Sequence, residues 1–313
     1  MRRSFQRNPS RVFRNAWVYA ASAILALFTV FVLLDTFAIA RVQKTALAAD
    51  YSSITTVQSA VGSSDSSARD GSGLDVGSYS DENMQITVTK TRAYDTDVYI
   101  ADITVSSAEY LKTALAQNSY GRNLKDTTSN MAEQSNAVLA INGDYYGFRD
   151  YGYVLRNGVL YREEAANGTD ALVVYGDGTM AAVSQDEVSA QQLKDNGAWQ
   201  VLSFGPALVS DGSIAVDANT EVGQSMKSNP RTAIGMVSPL HYVVVVSDGR
   251  TDDNEGLSLY ELAQVLVNNG ATFAYNLDGG GSTTLYFQGE VLNTPTSGNR
   301  SGERKVSDIV YFG

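Results

Sequence analysis

Apolar and polar residues alternate along much of the chain from Gln85 onward, which is the pattern of half-buried β-strands. The runs ITVTK at 86–90 and VYIADITV at 98–105 begin this pattern. Asn157-Gly158 and Asp177-Gly178 then separate apolar runs, and such pairs supply the positive φ that tight hairpins need. A further strand pair is predicted around residues 238–241. The pattern therefore predicts a domain built mainly from hairpins.

A helix is predicted over residues 258–270, where apolar residues recur with the spacing of one helical face. Ser258 and Glu261 have capping-box spacing, and Gly270 suits the helix end. Shorter helices are predicted over 109–117 and 130–135, and a strand over 272–277. Short strands with a few helices predict the α+β class. We expect one mixed, largely antiparallel sheet with a few packed helices over residues 81–313, preceded by one transmembrane helix.

The first 80 residues read differently from this domain. Residues 17–34 carry no charge and are close to the roughly 20 needed to cross a bilayer as a helix. Five arginines precede them, which predicts a cytoplasmic tail over 1–16, an anchor or uncleaved signal over 17–40, and an extracellular domain at the cell membrane. The pattern Ala38-Ile39-Ala40 leaves signal-peptidase cleavage open. Residues 41–80 are rich in Ser, Ala, Gly, Thr and Asp and predict a flexible stalk.

Charge and composition narrow the function. The formal net charge is −11; residues 1–44 hold seven basic residues and one acidic residue, so they carry +6 and the remainder carries −17. An acidic body of this kind is repelled by nucleic-acid phosphates, which argues against nucleic acid as a partner. The chain has no cysteine, which excludes disulfides and thiol chemistry.

Four polar clusters adjoin apolar strands and lie outside ordinary turns: residues 141–148, 229–235, 247–256 and 277–282. They offer carboxylates, arginines, amides, hydroxyls and glycine backbone. Glycine amides and arginine suit a phosphate, and carboxylates suit sugar hydroxyls or an attacking water, so a phosphorylated sugar is the natural ligand. Plainer interpretations stay open: Gly279, Gly280 and Gly281 as a bulged connection, Asp278 as an acid capping its turn, Arg231 as a surface ion pair, and Asp248-Gly249 as a turn.

The same clusters, in order, resemble the phosphodiester glycosidase family over residues of about 130 to 312. VLAINGDYYG at 138–147 is similar to an A-x-NGGYF-type segment of that family, and RTAIG at 231–235 matches as it stands. SDGRTDDNEGLSLYELAQVL at 247–266, NLDGGGST at 276–283 and VSDIVYF at 306–312 are similar to later segments. The resemblance implies hydrolysis of the bond between a sugar's anomeric carbon and a phosphodiester oxygen.

The resemblance also implies roles for matching positions. Asp278 and Asp248 are the expected acid/base or stabilising carboxylates, and Asp144, where the family often has glycine, is a third candidate. Arg231 is the expected phosphate clamp. Further contacts to sugar or phosphate are expected from a group of polar residues and glycines: Asn142, Gly279, Gly280, Gly281, Ser282, Arg250 and Arg300, with Arg304 as a secondary phosphate ligand. Glu261 also matches, but its capping duty explains it.

The expected function is thus an exported, membrane-anchored hydrolase acting on a sugar-1-phosphodiester of a surface glycan or exopolysaccharide, in a bacterial setting. A membrane-tethered polysaccharide-binding module and a metal-dependent phosphoesterase are the alternatives. We expect no cofactor. The acidic run over 252–255 suggests calcium because it offers hard oxygen ligands, but it lacks the EF-hand pattern, and a solvated loop explains it.

Overall fold

The computed structural model describes residues 10–33, 43–54, 73–222, 228–297 and 300–313. Its residues up to 33 belong to one compact unit, and those from Gln43 to Gly313 belong to a second. The described α-helices are α1 Ser10–Leu33, α2 Thr128–Gln134, α3 Ala190–Asp195 and α4 Leu259–Asn268. Short 3-10 turns lie at Tyr51–Ser53, Ala108–Tyr110, Ala116–Asn118, Tyr146–Phe148 and Gly280–Ser282.

Strands make up most of the second unit. In chain order they are β1 Lys44–Thr45, β2 Leu74–Ser80, β3 Met84–Ala93, β4 Thr96–Val105, β5 Leu111–Leu115, β6 Ser119–Tyr120, β7 Leu139–Asn142, β8 Val154–Arg156, β9 Val159–Arg162, β10 Asp170–Tyr175 and β11 Met180–Ser184. They continue as β12 Ala198–Leu202, β13 Ala207–Ser210, β14 Ser213–Ile214, β15 Arg231–Ser238, β16 His241–Ser247, β17 Phe273–Asn276, β18 Leu285–Phe287, β19 Glu290–Val291, β20 Thr296–Ser297, β21 Arg300–Ser301 and β22 Asp308–Phe312.

The strands form three larger sheets and two short ribbons, all antiparallel in the pairs described. The eight-stranded sheet has the order β14-β13-β17-β15-β16-β4-β3-β2. The β7 sheet has the order β19-β18-β7-β22-β5, and the β10 sheet has the order β11-β10-β12-β8-β9. The ribbons are β1-β6 and β20-β21.

The three sheets share one hydrophobic core. It takes residues from each of them, such as Ile103 and Val244 of the eight-stranded sheet, Ile141 of the β7 sheet, and Leu172 and Leu202 of the β10 sheet. On their other faces, α4 covers the eight-stranded sheet, α2 the β7 sheet and α3 the β10 sheet, each with its own apolar cluster. Each of the three sheets therefore has a helix over part of its outer face.

The predicted single mixed sheet is wrong, because the strands divide among several sheets and the described pairs are antiparallel. The physical reason is burial. Open twisted sheets rarely exceed about 10 strands before they split, and a few short helices cannot cover both faces of one sheet made from all these strands. Packing sheet against sheet buries the inner faces and leaves only outer faces for the helices.

The predicted transmembrane helix over 17–40 is also corrected. Helix α1 starts at Ser10, so it includes Arg11 and Arg14, and it ends at Leu33. Among the helices within the described ranges, none is long and apolar enough to span a membrane. Residues 1–9 of the predicted tail and 34–40 of the predicted anchor lie outside the described residues.

Two parts of the predicted stalk over 41–80 contact the domain. Residues 43–54 lie along its surface: β1 pairs with β6, and the ring of Tyr51 meets that of Trp199 edge-on at 5.0 Å between centroids. The amide of Leu47 also donates to the hydroxyl of Tyr161. Strand β2 completes the edge of the eight-stranded sheet. Residues 55–72 lie outside the described residues.

Candidate active site

The four polar clusters meet at one end of the sheets. Strand β15 begins at Arg231 opposite Ser247, the last residue of β16, and Ala233 of β15 pairs with Asn276, the last residue of β17. In the β7 sheet, Asn142 at the end of β7 pairs with Ile309 near the start of β22. Loops that leave these strand ends therefore converge, and a rigid frame carries them.

Asn142 joins the two sheets beneath this convergence. Its Nδ2 donates to the carbonyl oxygen of Asp278 at 2.6 Å. Its Oδ1 accepts from the hydroxyl of Thr232 at 2.8 Å and from the amide of Thr284 at 3.3 Å. The side chain is buried, so the structure places this predicted ligand in the supporting wall of the site.

The three glycines after Asp278 allow other segments to approach closely. A Cβ on Gly279 would lie 2.9 Å from the carbonyl oxygen of Pro230, and one on Gly281 would lie 3.0 Å from the hydroxyl of Ser297. Gly280 has φ +60, and its amide donates to Pro230 at 2.8 Å. The three glycines therefore permit close packing, which accounts for the conformational entropy that they cost on folding.

Asp278 lies in the wall of the site with its side chain 13% exposed. Ser282 donates from Oγ to Asp278 Oδ2 at 2.5 Å, and Arg304 Nη2 lies 3.4 Å from the same oxygen. Arg304 also donates from Nε to Ser282 Oγ at 3.1 Å. Burial raises the pKa of Asp278, while the hydrogen bond from Ser282 and the charge of Arg304 oppose that rise.

Asp144 belongs to a buried charged group with Arg156 and Asp308. Arg156 Nη2 lies 2.9 Å from Asp144 Oδ2 and 2.8 Å from Asp308 Oδ2. Asp144 also accepts from the amides of Tyr146 and Ser203, so both of its oxygens are engaged. Burial works against the charge of Arg156, but the two carboxylates raise its pKa on balance.

Asp308 lies close to Asp278 and is not among the site residues predicted from the sequence. Gly143 connects the two: its amide donates to the carbonyl of Asp308 at 2.9 Å, and its carbonyl accepts from the amide of Asp278 at 3.4 Å. Asp308 Oδ1 has no hydrogen-bond partner among the described residues. Burial raises the pKa of Asp308 to about 7. The charge of Arg156 lowers this pKa, and the charges of Asp144 and Asp278 raise it. In the sequence, Asp308 could have been noticed as an acidic residue at the start of the apolar run DIVYF.

Asp248, Arg231 and Arg250 lie around the Pro230 turn that packs on Gly279. Asp248 is buried and accepts from the amide of Thr294 at 2.6 Å, and burial raises its pKa. Arg231 is also buried; it donates from Nε to the carbonyl of Leu257 at 2.9 Å and from Nη2 to Glu221 at 3.3 Å.

Arg250 donates twice to Asn229 Oδ1, from Nη2 at 2.7 Å and from Nε at 3.1 Å. Its Nη2 would lie 2.8 Å from a Cβ on Gly280. Arg300 lies in β21, and its side chain is outside the described part. The roles assigned to all of these residues, and to Asp144, Asn142 and the glycines, stay predictions.

The acidic run over 252–255 is attached to the domain mainly through the side chain of Asn254. Asn254 Oδ1 accepts from the amide of Asp97 at 2.7 Å, and Arg92 donates to the carbonyl of Asp253 at 2.7 Å. Asp252, Asp253 and Glu255 are exposed. In the part of the chain that the structure describes, no group of three or more His, Asp or Glu side chains is arranged to hold a metal. The expectation on cofactors stays a prediction.

The loop after Asp144 brings aromatic rings and a cation to the same region. Tyr145 and Phe148 stack with centroids 4.4 Å apart. Arg149 donates from Nη2 to the carbonyl of Ser203 at 2.7 Å, and its charge lowers the pKa of Asp278 against the larger effect of burial. Arg149 is not among the predicted site residues either, although it follows the NGDYYGF motif directly.

The fold and the site together define a β-rich domain with a carboxylate and arginine site of the kind used on sugars and phosphates. The family model described as phosphodiester glycosidase matches residues 135–313, more than half of the chain and all of the site residues selected above. The chain therefore belongs to the phosphodiester glycosidase family, which confirms the resemblance seen in the motifs and its enzyme class.

Two curated relatives have similar sequences. The SPbeta prophage-derived uncharacterized protein YomE of Bacillus subtilis is 32% identical over 198 residues, which cover 61% of this chain and 30% of the relative. The human N-acetylglucosamine-1-phosphodiester alpha-N-acetylglucosaminidase is 29% identical over 206 residues, 59% of this chain and 39% of the relative. The chain thus spans about a third of the length of these relatives.

Two solved structures share the fold. The zebrafish N-acetylglucosamine-1-phosphodiester alpha-N-acetylglucosaminidase catalytic domain has a TM-score of 0.58 at 17% identity, covering 89% of this chain and 90% of that one. A hypothetical protein from Synechocystis has a TM-score of 0.50 at 15% identity, covering 74% of this chain and 62% of that one. At these identities the likeness is one of fold.

Proposed function

We propose that this protein hydrolyses the glycosidic bond of a sugar-1-phosphodiester, releasing the free sugar and leaving a phosphomonoester. Family membership supports the reaction class. The related human protein is named for acting on an N-acetylglucosamine-1-phosphodiester, which makes that sugar the first to test.

The observation that carries the proposal is the environment of Asp278. Its carboxylate is partly exposed, whereas Asp144 and Asp308 beside it are buried with relative exposures of 3% and 0%. Arg304 contacts it and is itself 43% exposed, so a carboxylate and a cation are presented together. This pair suits a reaction in which positive charge develops on the sugar and negative charge on the phosphate.

In the proposed reaction the bond between the anomeric carbon and the phosphate oxygen breaks, and that oxygen keeps the electron pair. A phosphate leaves as an anion near neutrality, so it needs little help from a general acid. Asp278 accepts a proton from the attacking water, whose oxygen becomes the anomeric hydroxyl, or stabilises the cationic carbon. Arg304 stabilises the departing anion.

The first test is product analysis with the full chain in 18O-labelled water. Glycosidic cleavage places the label on the sugar, and reducing sugar accumulates. Label on the phosphate instead would support the alternative of a phosphoesterase that cuts the P–O bond. Polysaccharide binding without any sugar release from a panel of sugar-1-phosphodiesters would support the alternative of a binding module.

The second test is Asp278→Asn, which keeps the shape of the side chain and removes its basicity. Loss of a general base or stabilising carboxylate lowers kcat by roughly 10²- to 10⁴-fold. Asp195→Asn is the matched control, because Asp195 is exposed at the end of α3 and contacts Gln191. Full activity of Asp278→Asn would remove Asp278 from the mechanism.

For the natural substrate we propose a phosphodiester in a surface glycan or exopolysaccharide, with the domain acting outside the cytoplasm. The support is the sequence: arginines precede an apolar segment that the pattern Ala38-Ile39-Ala40 follows, which is the order of an export signal. Protease added to intact cells should then degrade the domain, and purified protein should release sugar from such a polymer. A domain protected in intact cells would contradict this location.

A further inference from the structure

Arg149 has a buried guanidinium edge that the protein does not satisfy. The three rings of Tyr145, Tyr151 and Phe204 lie 5.7, 5.8 and 5.7 Å from its guanidinium carbon. The one hydrogen bond described for its side chain runs from Nη2 to the carbonyl of Ser203, and Nε is buried without an acceptor. Within the described ranges no carboxylate lies close enough to form an ion pair with it.

Two buried arginines near this loop, Arg156 and Arg162, have their hydrogen-bond donors engaged by the protein. Arg156 contacts two carboxylates. Arg162 donates to the carbonyls of Gly152, Tyr146 and Arg149 at 2.6, 3.0 and 2.6 Å, and so holds the backbone of the aromatic loop. Since Arg162 already fixes this loop, the charge of Arg149 is not needed to hold its backbone. An arginine that is enclosed but left without an anion is costly unless a ligand provides one.

The position of Arg149 relates it to the candidate catalytic carboxylate. Its loop leaves β7 at Gly143, whose carbonyl accepts from the amide of Asp278. Ser203 connects it further, since its amide donates to Asp144 Oδ2 and its carbonyl accepts from Arg149. Burial raises the pKa of Asp278, and the positive charge of Arg149 is among those that oppose the rise. The aromatic walls keep water from part of the guanidinium, which strengthens its attraction for an anion.

We propose that Arg149, enclosed by Tyr145, Tyr151 and Phe204, is the binding site for the phosphate oxygens of the substrate. Guanidinium pairs with a phosphate through two parallel hydrogen bonds. Nε is buried, so the fork is offered by the outer edge of the guanidinium, which the two Nη groups form. The partly exposed rings add apolar surface beside it. The identity of the anion as a sugar phosphodiester rests on the proposed function, whereas the anion site itself does not.

The test is direct binding of inorganic phosphate to the full chain by titration calorimetry, with no turnover required. Arg149→Met keeps an apolar stem against the rings and removes the charge, so we expect the Kd for phosphate to rise by about tenfold or more. Arg149→Lys keeps the charge but lacks the fork and should be intermediate. Arg122→Met is the matched control, because Arg122 is a nearby arginine already paired with Asp150.

Kinetics give the second readout. In Arg149→Met, kcat/KM should fall mainly through KM for a sugar-1-phosphodiester, and much less for an aryl glycoside of the same sugar, which has no phosphate. A structural role would lower both alike. Unchanged phosphate affinity in folded Arg149→Met overturns the proposal, and if that variant does not fold, unchanged affinity in Arg149→Lys does so. Phosphate binding that depends on Arg149, without sugar release from any substrate, would keep this inference and reject the proposed function.

Discussion

At the scale of single residues, three neighbouring carboxylates differ in what their oxygens contact. Both oxygens of Asp144 are engaged by Arg156 and by backbone amides. Asp308 is fully buried with one oxygen paired to Arg156 and the other without a partner in the described residues. Asp278 alone of the three is partly exposed. We therefore expect Asp278 to contact the substrate and the other two carboxylates to set its surroundings.

Asp308 should make stability depend on pH. Its pKa is about 7 in the folded chain and near 4 when unfolded, so between these values the folded state holds the extra proton. The stabilisation is full below about pH 4 and is lost as the pH rises to about 7, at up to roughly 1.4 kcal/mol per pH unit. Asp308→Asn removes this dependence.

Urea unfolding at pH 5 and pH 8 checks this expectation. The variant should be more stable, relative to the wild type, at pH 8 than at pH 5. Asp195→Asn provides the control, since an exposed acid changes the two values little. An equal difference between Asp308→Asn and wild type at both pH values would contradict the assignment.

At the scale of elements, the site depends on how closely β7 and β22 approach at their ends. A Cβ on Gly143 would overlap the carboxylate of Asp308, which is held by Arg156 and cannot move aside freely. Helix α4 provides a contrast, because its capping box of Ser258 and Glu261 lies within one element and is predicted from the sequence. Close approach is a property of two elements, whereas a cap belongs to one.

Gly143→Ala should therefore lower the free energy of unfolding by about 1–3 kcal/mol through overpacking, and lower kcat as the Asp278 backbone shifts. Gly212→Ala is the control, because Gly212 has φ +71 but open space around it, so it carries only the penalty of a left-handed backbone, about 1–2 kcal/mol. Denaturant unfolding and sugar release measure the two effects. Equal losses of stability and activity in both variants would show that the contact with Asp308 is unimportant.

One element departs from its sequence pattern. The spacing over residues 109–117 predicts a helix, but these residues contain the 3-10 turns Ala108–Tyr110 and Ala116–Asn118 and the strand β5 between them. In β5 buried residues alternate with half-buried ones, and the strand pairs with β22. Over five residues an apolar spacing fits either period, so the available partner strand decided the outcome.

At the scale of the whole molecule, the second unit includes residues that the sequence assigned to a stalk. Segment 43–54 forms hydrogen bonds from Ala46 to Asn118, from Ala49 to Asn157 and from Tyr51 to Gly176. It also covers Trp199 with Tyr51. These contacts connect distant parts of the domain surface, so we expect them to add to its stability.

A chain that starts at residue 81 should unfold more readily than one that starts at residue 43. Losing at least four hydrogen bonds, each worth about 1 kcal/mol, together with the edge strand β2, should lower the free energy of unfolding by about 4 kcal/mol or more. Tyr51→Ala in the longer chain separates the aromatic contact from the loss of β2. Equal melting temperatures for the chains starting at 43 and 81 would show that the predicted stalk does not stabilise the domain.

The sequence alone determined the local features and the family. The hairpins at 157–158 and 177–178, the α2 and α4 helices and the four motifs were readable because each depends on residues close together in the chain. Asp278 and Ser282 were selected together, and their side chains are hydrogen bonded. Short-range periods and turn chemistry carry this information, and no tertiary contact is needed to read it.

Only the tertiary structure decided the division into three sheets, the buried group of Asp144, Arg156 and Asp308, and the placement of Arg149. The partners in that group are separated by up to 152 residues in the chain, as in the bond from Arg156 to Asp308. Burial and charge are properties of the atoms that surround a side chain. An arginine that is paired and one that is left unsatisfied look the same in sequence, because the difference lies in neighbours that folding brings to them.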